Sequence, residues 1–343
     1  MRALKIAFLR VAKSLGLFAV ARRLTRHRLR ILCYHGMAVA DQAQFRPYLF
    51  LSPQIFRQRI DFLARAGWRV LDFDTAVRRL YDGTLPADSV AITVDDGFSN
   101  FHELAVPVLR AAGFPATIYV TTYHVRHATP VFRLLVQYLF WKTAQTRLAR
   151  HDFPFLVGAD ADLTDPAQKE RLLQRIVEHG EACASEDERV SLGRALAAAL
   201  DVSYDDIVRQ RLFHLMTPDQ LRAAAAGGMA IELHTHRHRF PADDEPAAVR
   251  EIEENRQILR EITGVEARHF CYPSGLWDPR QAPWLDRLDI RSSTTCLPGL
   301  NSAATPRHAL RRFLDGDTIH PLEFEAALSG FADLARAALG RRA

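Results

Sequence analysis

The chain has 343 residues, 48% hydrophobic and 25% charged, ordinary fractions for a globular protein that exclude a disordered or collagen-like chain. Net charge is +5, yet residues 1–30 hold nine Lys or Arg and no Asp or Glu, so the remaining 313 residues sit at about −4 and give nucleic-acid binding no support. No run of 18 uncharged apolar residues offers a membrane span, and Cys33, Cys183, Cys271 and Cys296 form no C-x-x-C, which argues against a disulfide framework or zinc ribbon and fits a reducing compartment.

At about 100° per residue, Leu4, Phe8, Val11, Leu15 and Phe18 share one helical stripe, with Lys5, Arg10 and Lys13 on the other side. Arg22, Arg23, Arg26, Arg28 and Arg30 follow. Residues 1–30 therefore read as a basic amphipathic helix suited to peripheral association with an anionic membrane surface. Ile6, Leu9 and Leu17 interrupt the polar side, and a helix packed on the body with an exposed arginine run is the alternative. Lys5, Arg10 and Lys13 break any apolar stretch of a cleavable signal peptide. The expected location is cytoplasmic, at the inner face of the cytoplasmic membrane where the helix attaches.

Ile31–His35 is a short apolar run that predicts a buried strand. Ser52–Ala66 has helical spacing, with Ser52 as N-cap, Pro53 at the first helical position and Gly67 as the stop. Val70-Leu71 leads to a helix over Phe73–Tyr81. A strand over Ser89–Val94, a helix over Phe101–Ala112 and a strand over Ala116–Thr121 then complete a strand–helix–strand unit. Residues 129–225 are helix-rich, without obvious strands, and read as a helical insertion. Alternation resumes with a helix at Pro218–Ala226 and strands at Met229–Leu233, Arg268–Tyr272, Asp289–Thr295 and Arg311–Leu314. The helix between the first two of these strands spans about 246–262. Such alternation implies a parallel sheet or a barrel with helices outside; the chain reads as α/β, with a (β/α) barrel over 31–320, interrupted at 129–225 by the insertion or by a separate small domain, and a carboxy-terminal helix over 321–343.

Three polar clusters follow predicted strands. Asp95-Asp96-Gly97 ends the first; paired carboxylates repel each other and need a cation or strong donor to ionise together, although a plain surface turn is the alternative. His234-Thr235-His236-Arg237-His238 ends the second. Two histidines and a carboxylate suit a catalytic zinc that keeps an open position, against which stand an exposed polar loop and the charges of Arg237 and Arg239. Tyr272-Pro273-Ser274-Gly275 ends the third. The carboxyl ends of barrel strands are where active sites are built.

Taken in order, Thr93-Val94-Asp95-Asp96-Gly97, His234-Thr235-x-x-His238 and Phe270-x-Tyr272-Pro273-x-Gly275 resemble the polysaccharide deacetylase family, the NodB-homology group or carbohydrate esterase family 4. The likeness covers roughly residues 31–128 and 226–320, including the Tyr34-His35 start. It implies a distorted barrel of about seven parallel strands and metal-dependent removal of N-acetyl groups from sugars. By position, Asp95 resembles the family's general base. Asp96, His234 and His238 resemble its metal ligands, with His236 a substitute candidate. Ser274 occupies the place whose backbone N–H helps form the oxyanion hole. The resemblance implies one divalent metal, Zn2+ first and Co2+ or Ni2+ next, with a metal-bound water as nucleophile.

The chain departs from the family pattern at two places. Many members carry an arginine bracing the base where Cys271 stands, and many carry a late Leu-x-His whose histidine is the general acid. Here the corresponding run is Leu310-Arg311-Arg312-Phe313. Arg312 is the candidate brace, and His308 or His320 the candidate proton source. The reading is a hydrolase of carbon–nitrogen bonds that deacetylates an amino sugar of a bacterial polysaccharide, oligosaccharide or lipid-linked glycan. The alternatives are the same chemistry on another N-acyl group, such as formyl, and a catalytically silent glycan-binding scaffold. No G-x-S-x-G elbow or phosphate-binding glycine loop is present.

Overall fold

Ser89–Val94 is apolar along its whole length because the strand it forms is covered on both faces, as in parallel sheets flanked by helices. The computed structural model describes residues 2–149, 153–156 and 160–338. Its main sheet contains β1 (Arg30–Tyr34), β2 (Arg69–Val70), β3 (Ser89–Val94), β4 (Thr117–Val120), β5 (Ala230–Leu233), β6 (His269–Cys271), β7 (Ser292–Thr294) and β8 (Phe313–Leu314). All pairings are parallel, in the order β7-β6-β5-β4-β3-β1-β8, with β2 alongside the start of β3. A single parallel bridge from Thr294 to Leu310, just before β8, brings the two edges together. The result is the curled, distorted barrel that the family resemblance implies, with seven strands on its main path.

Helices Phe73–Tyr81 and Pro218–Ala226 coincide with their predicted spans. Thr217 caps the second through a reciprocal pair with Gln220, so both ends of the motif are visible in the sequence. Ser52 precedes helix Pro53–Arg65 as predicted, but its hydroxyl bonds Asp317 instead of the helix end. The helix expected over Phe101–Ala112 divides into Ser99–Leu104 and Val106–Ala112, because Pro107 has no N–H to continue the first turn.

The insertion enters between β4 and β5, which are neighbours in the sheet. Helices Pro166–Glu181 and Glu186–Ala199 pack on Phe132–Lys142, and one core runs from barrel residues such as Val94 and Phe98 into Val136, Leu139 and Ile176. Gly180 permits this approach, since a Cβ there would lie 2.1 Å from the Phe132 ring. Contrary to the all-helical expectation, Arg147–Leu148 and Ala161–Asp162 form a small antiparallel pair.

Both termini differ from their single-helix expectations. The first 30 residues form α1 (Arg2–Ser14) and α2 (Leu17–Thr25), divided at Gly16 in the left-handed region. The closing segment divides into Pro321–Leu328 and Phe331–Ala338 at Gly330, whose missing Cβ would meet Thr25 Oγ1 at 2.6 Å. Buried Arg30 fastens the two ends together, donating to Leu328 O at 2.9 Å and Thr25 O at 2.8 Å.

Candidate active site and metal centre

β3 presents Asp95 and Asp96 at its carboxyl end. The Asp95 amide still donates to Tyr34 O at 2.9 Å, continuing the ladder with β1. The chain then turns through Asp96 and Gly97, at φ 67° and 82°. Asp residues tolerate that region better than most, and glycine carries no cost there.

Asp95 is held in a buried cage. Arg312 donates from Nη1 to Oδ1 at 2.6 Å and from Nη2 to Oδ2 at 2.7 Å, while its Nε donates to Thr295 O at 2.9 Å. The thiols of Cys271 and Cys33 lie 3.4 Å and 3.6 Å from Oδ2, and His35 Nε2 lies 3.7 Å away. Burial alone pushes the Asp95 carboxyl up. The Arg312 charge and its hydrogen bonds more than reverse that, holding the group below the usual carboxylate range.

Asp96 faces a different pair of partners. β5 ends at Leu233, and Thr235 and His238 both take left-handed conformations, folding the loop so that the His234 and His238 rings lie 4.9 Å apart. Their Nε2 atoms stand 3.3 Å and 3.4 Å from Asp96 Oδ1. His234 Nδ1 sits 2.8 Å from Cys271 O, a contact that only an N–H can satisfy, so Nε2 of the neutral ring keeps its lone pair. Asn255 fixes the loop behind it, accepting the His234 amide at 3.0 Å and donating to Val120 O and Thr122 Oγ1 at 2.9 Å and 3.0 Å.

One ligand atom from each of Asp96, His234 and His238 can lie within 4.8 Å of the others. Two imidazole nitrogens and one carboxylate oxygen, with the rear nitrogen of one ring tied to a carbonyl, fit a divalent metal of the zinc type. Cys33, His35 and Asp95, and likewise Asp95, His234 and Cys271, are as close. Both of those groups include the carboxylate already neutralised by Arg312, which makes them the poorer cation sites.

A cavity of about 630 Å³ opens over this centre. Asp96, Phe98, Thr121, His238 and Ser274 line it from the barrel; Phe132, Arg133 and Glu181 line it from the insertion. Glu186 pins the two parts together, accepting from Tyr123 OH at 3.0 Å and Thr129 Oγ1 at 2.5 Å. The insertion thus supplies a wall of the groove that leads to Asp96.

The geometry agrees with sequence and fold comparisons. The polysaccharide deacetylase profile matches residues 82–184 and 195–292, more than half of the chain. The chain belongs to the polysaccharide deacetylase family. It is therefore a hydrolase acting on carbon–nitrogen bonds other than peptide bonds, with a glycan as substrate, and this favours the enzyme over the silent scaffold. No curated protein matches the sequence significantly.

Among solved structures, the chain is similar to the Streptococcus pyogenes deacetylase PplD in complex with acetate, at 18% identity and a TM-score of 0.58, covering 88% of this chain and 98% of that one. IcaB from Ammonifex degensii is similar at 17% and 0.54, over 88% and 97% of the two chains. A de-N-acetylase from Aggregatibacter actinomycetemcomitans gives 14% and 0.54, over 88% and 99%. At these identities the likeness concerns the fold.

Several candidates named from the sequence stand apart from the centre. His236 does not share a face with His234 and His238. The period of two stops where β5 ends, and the ring turns to Thr122 Oγ1 at 2.9 Å. His308 is held by Ser293 at 3.1 Å and Asp286 at 2.8 Å, and His320 caps helix Pro321–Leu328. Neither faces Asp95. Arg237 is paired with Glu251 and Glu254 at 3.0 Å and 2.8 Å, and Arg239 with Glu181 at 2.6 Å, so their charges are compensated. Ser274 lies on the cavity wall in a left-handed turn with φ 57°, and its amide makes no hydrogen bond among the described residues.

Two residues were given no role by the sequence reading. His35, noted only as part of the Tyr34-His35 start of the resemblance, closes on Asp95 from the end of β1. Asn255 lies in the middle of helix Glu245–Thr263. A fully buried asparagine on the apolar side of an amphipathic helix is the available sign, because it must find partners.

Proposed function

We propose that the chain is a metal-dependent de-N-acetylase acting on an N-acetylated amino sugar of a bacterial polysaccharide, oligosaccharide or lipid-linked glycan. The observation that carries this reading is the convergence of Asp96, His234 and His238 beside an arginine-braced Asp95, with Asp96 and His238 on the lining of one cavity. Asp96, His234 and His238 would hold the metal. A divalent ion there supplies Lewis acidity for the acyl carbonyl and makes water easier to deprotonate, zinc being the first choice and cobalt or nickel the next.

The chain's own residues account for the rest. Asp95, ionised under the influence of Arg312, takes a proton from the attacking water. The free amide of Ser274, on the same cavity wall, donates to the oxygen that becomes negative in the tetrahedral intermediate. The departing amine needs a proton, and His35 is the imidazole next to Asp95 Oδ2, at 3.7 Å. It relays to the nitrogen the proton that Asp95 has accepted. Cys271 is free of the bracing role because Arg312 fills it from beside β8.

The test is metal content of the purified protein, wild type and His234→Ala, with acetate release from an N-acetylglucosamine oligomer measured alongside. Expected are about one divalent ion per chain, lost in the variant, and acetate production that Asp95→Asn abolishes without loss of metal. Formate from an N-formyl sugar in place of acetate would reassign the acyl group. A chain that takes up no zinc, cobalt or nickel would overturn the mechanism.

A further inference from the structure

The stripe Leu4, Phe8 and Val11, with Leu15 just past the end, is the apolar face of α1, yet of these only Phe8 meets the body among the described residues, its ring 6.0 Å from that of Phe331, and the helix docks chiefly by another side. It docks by Leu9 and Ala12 against Ala326, steadied by Lys5 on Glu323 at 2.6 Å and Lys13 on Glu325 at 2.5 Å. Phe18 turns inward from α2, its ring 5.0 Å from that of Phe331. The outward face therefore continues from Leu4, Phe8, Val11 and Leu15 through Leu17, Val20 and Leu24, positions spaced three or four apart within each helix. These seven side chains are 41–77% exposed and make up seven of the thirteen exposed large hydrophobics of the described chain. Such a concentration in 25 residues marks an interaction surface.

The charges around that face select its partner. Residues 1–30 contain no carboxylate. Lys5, Lys13 and Arg22 are satisfied by Glu323, Glu325 and Asp88, and Arg30 is buried. Arg10, Arg23, Arg26 and Arg28 have no acidic partner among the described residues. A second copy packed face to face would set these arginines against their own counterparts. An anionic lipid surface would take both components, apolar side chains among the acyl chains and guanidinium groups among the phosphates.

We propose that α1 and α2 form a peripheral docking face for anionic membranes. No helix of the described chain is long and apolar enough to cross a bilayer, so the attachment is along the surface. None of the seven apolar residues lines the cavity above Asp96. The proposal stands independently of the deacetylase mechanism.

Sedimentation of the full chain with vesicles of phosphatidylcholine alone, and of phosphatidylcholine with about 30% phosphatidylglycerol, tests it. Expected is binding to the mixed vesicles, little to phosphatidylcholine, and release at about 0.5 M salt. Phe8→Ser with Leu15→Ser and Leu24→Ser should abolish binding. Arg10→Ala with Arg23→Ala and Arg28→Ala should weaken it on the order of 100-fold, at roughly five-fold for each cation removed. Both variants should keep the wild-type circular dichroism spectrum, because the altered side chains face solvent. Equal recovery with and without anionic lipid would overturn the proposal. So would a dimer in size exclusion that the serine variant converts to monomer, which would identify the occupant as a second copy.

Discussion

Arg312 and Asp95, 217 residues apart in the chain, form a two-pronged ion pair with both partners almost wholly buried. The pair ties β3 to the start of β8 across β1, and the Arg312 Nε donating to Thr295 O carries the same guanidinium over to the end of β7, the opposite edge of the sheet. Its planar fork matches a carboxylate in a way that lysine does not.

Removing one side of such a pair strands a buried charge. Arg312→Ala should lower stability by about 3–5 kcal/mol, read from urea denaturation midpoints. Arg312→Lys should recover part of that loss. Without the guanidinium, burial acts on Asp95 against only the weaker influence of His35 and His234 and its pKa rises, so the acidic limb of the activity profile should move to higher pH in Arg312→Gln. An unchanged limb would mean that Arg312 supports structure without tuning the base.

The same pair predicts the sense of an acid effect on stability. The folded pKa of Asp95 is depressed, so its contribution is present above the unfolded value of about 3.9 and is lost as pH falls towards the folded one. Asp95→Asn carries no such titration. Urea midpoints of the two proteins should therefore differ by a constant amount from pH 7 to about pH 5 and converge below about pH 4. A gap that persists through the acid range would show that the pair contributes no linkage.

Much of this architecture was legible because it rests on local rules. The spans Ser89–Val94, Phe73–Tyr81 and Pro218–Ala226 coincide with their predictions, since continuous apolar runs and proline-started, capped helices carry their limits in neighbouring residues. The order of the three clusters located the site for the same reason. What could not be read depends on distant contacts. Gly16, Ala105 and Gly330 interrupt helices that periodicity runs together. The left-handed turns at Thr235 and His238 decide which histidines meet Asp96, and strand alternation has no bearing there. The direction of the α1 stripe is set by Glu323 and Glu325, some 300 residues away.

Asn255 offers a test of how the second layer supports the metal site. Its side chain joins the His234 amide, Val120 O and Thr122 Oγ1, all inside the protein. Asn255→Ala takes the side-chain partner from the buried His234 amide, although Thr122 Oγ1 keeps His236, and should cost about 1–3 kcal/mol. It should also weaken metal binding about 10–100-fold in a chelator competition, because the His234 backbone is no longer fixed. His236→Ala is the matched control from the same loop. Its ring faces Thr122 and Glu254, so metal affinity should stay at the wild-type level.

In the proposed mechanism His35 carries proton delivery alone. Its Nε2 is 3.7 Å from Asp95 Oδ2, and burial lowers its pKa, leaving a neutral ring able to accept a proton and pass it on. It belongs to none of the Asp96, His234 and His238 contacts, so His35→Gln should retain metal content. Turnover of an N-acetyl sugar should fall about 10²–10⁴-fold, mainly in kcat, because an amine is a poor leaving group until it is protonated. An aryl acetate, whose phenolate leaves without a proton, should be hydrolysed by His35→Gln at nearly the wild-type rate. Equal losses on both substrates would reduce His35 to a positioning residue for Asp95 and leave the amine's proton to another donor.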